Sequence, residues 1–169
     1  MPNINNLKKY KYIHMIGIGG ISMSGIAEIL ANWDFSVSGS NNVDSEILHT
    51  LKKAGIKVFV GHDAKNVEGA DCVVYTAAIP QNNVELVHAR ELGIPTIERS
   101  DFLGELTRCY KNTIAISGTH GKTTTTSLVS LCFLEAKKDP SIQVGAILEN
   151  INGNYRVGNS EYFIIEACE

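Results

Sequence analysis

Two segments of this chain run from an apolar strand through a glycine loop into a helix, and no other feature limits its fold as much. The first is Tyr12-Ile13-His14-Met15-Ile16 followed by Gly17-Ile18-Gly19-Gly20-Ile21-Ser22-Met23-Ser24-Gly25. The second is Thr113-Ile114-Ala115-Ile116-Ser117 followed by Gly118-Thr119-His120-Gly121-Lys122-Thr123-Thr124. Such a loop points backbone N–H groups from a helix N-terminus at whatever lies above the sheet, and the helix dipole favours an anion there.

Around the loops, strands and helices alternate strictly, which predicts an α/β fold with a parallel sheet and helices on its faces. After a helix with Ile26, Ile29 and Leu30 on one face, a strand over Phe35 to Ser38 leads into the polar segment Gly39-Ser40-Asn41-Asn42. Asp44 or Ser45 can cap the next helix, which carries Ile47, Leu48 and Leu51 on one face and ends at Gly55. Further strands are expected at Lys57 to Val60, Cys72 to Ile79 and Thr96 to Glu98, with a helix over Val84 to Leu92 and a short one from about Ser100 to Thr107.

The pattern then restarts, so two domains are predicted, 1–108 and 109–169. The second has a helix from Lys122 to Glu135 and strands at Thr113–Ser117, Val144–Leu148 and Tyr162–Ala167. So small a sheet leaves apolar edges uncovered. The expectation is the truncated start of a P-loop α/β domain, with the chain as the front part of a longer protein and a homodimer favoured by the exposed edges.

Composition excludes several classes. A net charge of −3, with Lys8-Lys9-Tyr10-Lys11 as the one basic cluster, argues against a nucleic-acid partner. No apolar run reaches the roughly 18 residues of a membrane span, and the polar start does not resemble a signal peptide. Cys72, Cys109, Cys132 and Cys168 have no metal-ligand spacing; Cys72, Cys132 and Cys168 sit in apolar segments, where a free thiol behaves as a small hydrophobe. A reduced, cytoplasmic protein is expected.

A diphosphate is the natural guest of the first loop, against the alternative of a tight turn with no ligand. A nicotinamide dinucleotide fits poorly. The third glycine of its fingerprint falls at Ser22, and the acid expected at the end of the second strand is missing from Val37-Ser38-Gly39-Ser40-Asn41.

The second loop departs from the commonest phosphate-binding spacing, G-x-x-x-x-G-K-[ST]. Counting back from Gly121 puts Ile116 where the first glycine belongs, and Gly118 arrives two residues late. Lys122 still supplies a charge for the outer phosphates and the Thr123 hydroxyl a ligand for Mg²⁺. His120 reads as a spacer. Glu166, at the end of an apolar strand, offers the carboxylate that such a site needs, with Glu169 as the alternative. A GTPase is disfavoured, since no Asn-Lys-x-Asp guanine reader appears.

Gly-Thr-His-Gly-Lys-Thr-Thr, with its short spacing, resembles the ATP site of the Mur ligases, the amide ligases of peptidoglycan assembly. His14 to Leu30, Val37-Ser38-Gly39-Ser40, Gly61-His62, Tyr75 to Pro80, Asn83 with Glu85, Gly93 to Leu106 and Asn154 to Glu169 are similar to that family's segments in the same order. The chain departs at Ser22, where members often have Gly, and at Asn41, where they have Asp.

The resemblance implies a Rossmann-like first domain that holds the UDP-sugar through Gly17 to Ser24 and Ser38, Gly39 and Ser40. It implies ATP bound by Gly118 to Thr124, Mg²⁺ held by Thr123 and Glu166, and Lys122 as the catalytic cation. The implied substrates are UDP-N-acetylmuramate, ATP and L-alanine, joined through an acyl phosphate with release of ADP. The 169 residues would lack the amino-acid site and be inactive alone. A non-catalytic UDP-sugar-binding module and a ligase recycling murein peptide are the alternatives, and the Gly-Ile-Gly-Gly loop favours the alanine-adding type.

Overall fold

A computed structural model describes residues 2–167. Cys168 and Glu169 lie outside them, and with them the alternative placement of the metal carboxylate. Packing separates Leu7–Gly104 from a second unit made of the residues up to Asn6 and those from Glu105 onward.

The first unit contains β1 (Tyr12–Ile16), α1 (Ile21–Asn32), β2 (Ser36–Asn41), α2 (Glu46–Lys53), β3 (Lys57–Val60), β4 (Cys72–Tyr75), α3 (Val84–Glu91), β5 (Thr96–Glu98) and the start of α4 (Arg99–Thr107). Its sheet has the order β3-β2-β1-β4-β5, and every pairing is parallel. The order reverses between β1 and β4. In open sheets of this kind the crevice outside the carboxyl ends of the strands, at that reversal, is where ligands bind.

β1 is central and buried on both faces, as its unbroken apolar run requires. Ile16 packs with Val73, Leu86, Ala89 and Val67 on the α3 side. Ile13 and Met15, one residue out of phase, point to the other face and are fully buried as well. Ser45 is the residue that caps α2, accepting from the Leu48 amide. Asn83 caps α3 by accepting from the Glu85 and Leu86 amides.

β2 runs through Gly39-Ser40-Asn41, where a polar segment after the strand is expected from the sequence. The residues are small because the chain beside them is close. A Cβ on Gly39 would stand 2.6 Å from both the Ile18 side chain and the Met15 carbonyl oxygen. Strand β4 ends at Tyr75, and Thr76 to Ile79 form a turn rather than the strand's continuation.

The second unit contains β6 (Asn112–Ile116), α5 (Lys122–Glu135), β7 (Ser141–Leu148), β8 (Gly153–Arg156) and β9 (Tyr162–Glu166), in the order β6-β9-β7-β8. β6 and β7 both run parallel to β9, and β8 returns antiparallel to β7. β8 is not anticipated from the sequence, since Gly-Asn-Tyr-Arg lacks the apolar alternation of a strand. Arg156 holds it to the start of β7, donating to the Pro140 carbonyl and pairing with Asp139.

Cys132 lies exposed on α5, not buried as its apolar neighbourhood suggests. It is one turn from Leu128, itself 59% exposed, so this helix face points away from the sheet. Among the described residues no helix is long and apolar enough to cross a membrane.

Gly39→Ala is expected to destabilise the first unit by about 1–3 kcal/mol through overpacking, because a backbone oxygen cannot move aside as a side chain can. A chemical denaturation curve shifted to lower midpoint at unchanged slope would show it.

Candidate functional site

The loop between β1 and α1 is clamped to the neighbouring strand. The amides of Gly17 and Ile18 both donate to the Ser40 carbonyl, at 2.8 and 3.0 Å, and the Gly20 amide returns to the Gly17 carbonyl. Gly17 has φ of +84°, in the left-handed region that only glycine adopts freely, and a Cβ there would lie 2.6 Å from Thr76 Cγ2. A Cβ on Gly19 would meet the Asn41 amide group at 2.9 Å. Asn41 therefore stands against the loop at the end of β2, where dinucleotide-binding sheets carry their acid.

The predicted loop residues divide by role. Ile18 and Met23 are core, and the Ser24 hydroxyl donates to the Ile21 carbonyl. Gly20 is the N-cap of α1 and gives it no side-chain cap. Gly19, Gly20, Ile21 and Ser22 form the outward face, at the positive end of a twelve-residue helix. The Ser22 hydroxyl accepts from Arg99 Nη1 at 3.2 Å.

Ser38, Gly39 and Ser40 lie inside the unit. Ser38 Oγ bonds Tyr12 Oη at 2.7 Å and His14 Nδ1 at 2.8 Å. Ser40 Oγ donates to Glu85, which is fully buried. The same carboxylate receives His62 Nδ1 at 2.9 Å and Asn66 Nδ2 at 2.6 Å. His14 Nε2 is 3.8 Å away, too far for a hydrogen bond, so its influence is electrostatic. These two serines thus contribute their hydroxyls to an interior network.

Burial pushes the Glu85 carboxyl upward, but the His14 ring, Ser40 and Asn66 outweigh it and hold the pKa down, to about 2. Apart from the family resemblance that includes it, the sequence offers little signal for a buried role at this residue. A lone acid in the first turn of a helix usually reads as a solvated dipole partner.

The folded pKa of Glu85 lies below its ordinary 4.5. Its contribution is therefore complete above that pH and is lost as the pH falls toward 2. A folding stability that drops by on the order of 3 kcal/mol across that window is expected, with a flatter profile in Glu85→Gln, as read by denaturant titrations at several pH values.

The second loop lies between β6 and α5. Gly118 and Gly121 have φ of +151° and +76°, so both are in the region that favours glycine. Thr119, His120 and Thr124 are exposed, and Gly121 is the N-cap of α5. Lys122 Nζ folds back to donate to the Gly118 carbonyl, which lays the ammonium across the loop.

In-register pairing of Ile116 with Glu166 carries the acid to the start of the loop. Thr123 Oγ1 donates to Glu166 Oε1 at 2.9 Å, and the Gly145 amide donates to Oε2 at 2.7 Å. A Cβ on Gly145 would stand 2.7 Å from that same oxygen, so a side chain there would push the carboxylate aside. A hydroxyl and a carboxylate oxygen side by side suit Mg²⁺, which takes hard oxygen ligands and completes its shell with phosphate and water. Nothing in the sequence points to Gly145, because its role depends on β7 lying beside β9.

A family model described as "Mur ligase family, catalytic domain" matches residues 12–111. The UDP-N-acetylmuramate–L-alanine ligase of Acetivibrio thermocellus is 53% identical over 161 residues, covering 95% of this chain and 34% of that protein. The ligase of the same name from Clostridium botulinum (strain Okra) is 56% identical, with 95% and 35% covered. Among solved structures, the UDP-N-acetylmuramate-alanine ligase of Thermotoga maritima aligns with a TM-score of 0.86 at 37% identity, over 93% of this chain and 36% of that one. The UDP-N-acetylmuramate:L-alanyl-gamma-D-glutamyl-meso-diaminopimelate ligase of Neisseria meningitides aligns with a TM-score of 0.85 at 31% identity, over 93% and 52%. The chain spans about a third of the length of the curated relatives quoted. With the family model covering more than half of its residues, the chain belongs to the Mur ligase family.

Proposed function

We propose that this chain is the UDP-sugar- and ATP-phosphate-binding part of a cytoplasmic ligase that adds L-alanine to UDP-N-acetylmuramate in peptidoglycan synthesis. The observation that carries this reading is the occurrence of two anion loops in one chain, the second with Thr123 and Glu166 paired at its mouth. Relatives more than half identical are UDP-N-acetylmuramate–L-alanine ligases, which favours that type over the L-alanyl-gamma-D-glutamyl-meso-diaminopimelate ligase at 31%.

In the proposed reaction the muramoyl carboxylate attacks the γ-phosphorus of ATP, and the bond to the β–γ bridging oxygen breaks to release ADP. The amine of L-alanine then adds to the acyl phosphate and expels phosphate, forming the amide. A carboxylate is a poor acylating agent, and phosphorylation turns one of its oxygens into a leaving group. Gly118 to Thr124 would hold the triphosphate by backbone amides, with the Lys122 ammonium moving from the Gly118 carbonyl onto the outer phosphates. Mg²⁺, when bound, would supply charge neutralisation, held by Thr123 and Glu166. Gly145 keeps the Glu166 carboxylate aimed at Thr123. The outward face of Gly19 to Ser22 would take the diphosphate.

Calorimetric titration of this chain with UDP-N-acetylmuramate is expected to show saturable binding, with none for NADH. Binding of NADH instead would overturn the reading. For Lys122→Ala, binding of ATP with Mg²⁺ is expected to weaken about 10- to 100-fold, the worth of one charged hydrogen-bond donor, while UDP-sugar affinity is unchanged.

A further inference from the structure

Arg99 opens α4 directly after β5, at the carboxyl end of the sheet. In the order β3-β2-β1-β4-β5 it stands on the side of the β1/β4 crevice opposite Asn41. Its side chain is half-buried and reaches back across 77 positions of sequence, to place Nη1 3.2 Å from Ser22 Oγ in the first turn of α1. Among the described residues no carboxylate lies within ion-pair distance of it.

A sugar-linked diphosphate carries two negative charges, and the loop from Gly17 to Ser24 contains no cationic side chain. Two of its amides, Gly17 and Ile18, are already committed to the Ser40 carbonyl. A helix N-terminus offsets only about half an elementary charge. Arginine presents five N–H donors in a planar fork matched to phosphate oxygens, and the Ser22 contact occupies one.

We propose that Arg99 is a binding residue for the diphosphate, reaching over the N-terminus of α1 from the far side of the crevice. This rests on the UDP-sugar reading and adds the charge that the loop itself lacks. The Ser22 hydroxyl holds the guanidinium in place before the ligand arrives, so less side-chain freedom is lost on binding.

The test is a set of NMR titrations of the wild-type chain, Arg99→Ala and Arg99→Lys with UDP-N-acetylmuramate, UDP and uridine, with thermal melting of each variant as a fold control. In Arg99→Ala the affinity for UDP and for the UDP-sugar is expected to fall by about 10- to 100-fold, with uridine within about threefold of wild type. Arg99→Lys, which keeps a point charge without the fork, is expected to fall in between. An equal loss for all three ligands would mean that Arg99 only braces α4 against α1, and the proposal would be wrong. Loss for the UDP-sugar alone, with UDP unaffected, would move the contact to the sugar acid and equally overturn it. Failure of wild-type protein to bind any of the three would instead reject the UDP-sugar reading itself.

Discussion

The first unit depends on one carbonyl. Ser40, near the end of β2, accepts the amides of both Gly17 and Ile18, and this pair of bonds sets how the chain leaves β1. Everything beyond follows from that exit. Ile18 drops into the core over Gly39, Gly20 becomes the N-cap of α1, and Gly19 to Ser22 face outward at the positive end of the helix. A side chain at Gly39 would lift Ile18 and pull the loop off its anchor. The outward face of the loop is thus a product of packing beneath it, not of the glycines alone.

The side chain of the same Ser40 turns inward to Glu85, so the strand that anchors the loop is itself tied down. Burying a carboxylate is expensive, and a hydrophobic replacement of similar volume is often no less stable. Glu85 gathers donors from β2, from His62 after β3 and from Asn66 in the turn that follows, and it stands on a helix N-terminus. That arrangement fixes the relative positions of segments whose apolar contacts alone would permit sliding. In the second unit, Glu166 has a comparable orienting shell, with Thr123 on one oxygen and the Gly145 amide on the other.

Much of this was legible in the residues. The alternation of apolar strands with helices of period 3.6 gave the parallel sheet, and α5 has the limits, Lys122 to Glu135, that its loop and its break at Lys137 imply. The two glycine loops stand where a strand ends and a helix begins. β8 was hidden because an edge strand of Gly-Asn-Tyr-Arg is held by Arg156 and by pairing with β7, not by an apolar face. Cys132 misled because apolar neighbours in sequence do not say which face of a helix meets the sheet.

By itself, the sequence determined the local geometry: loops that need glycine, helices that need caps, and a central strand too apolar to be anything but buried. Those are short-range consequences of backbone sterics and of hydrophobic periodicity, and they can be read within one turn or one strand. The partners of Glu85, the reach of Arg99 to Ser22 and the meeting of Thr123 with Glu166 were decided only by the tertiary structure. Each joins residues tens of positions apart, and strand order and register, which set those distances, arise from the packing of the whole sheet.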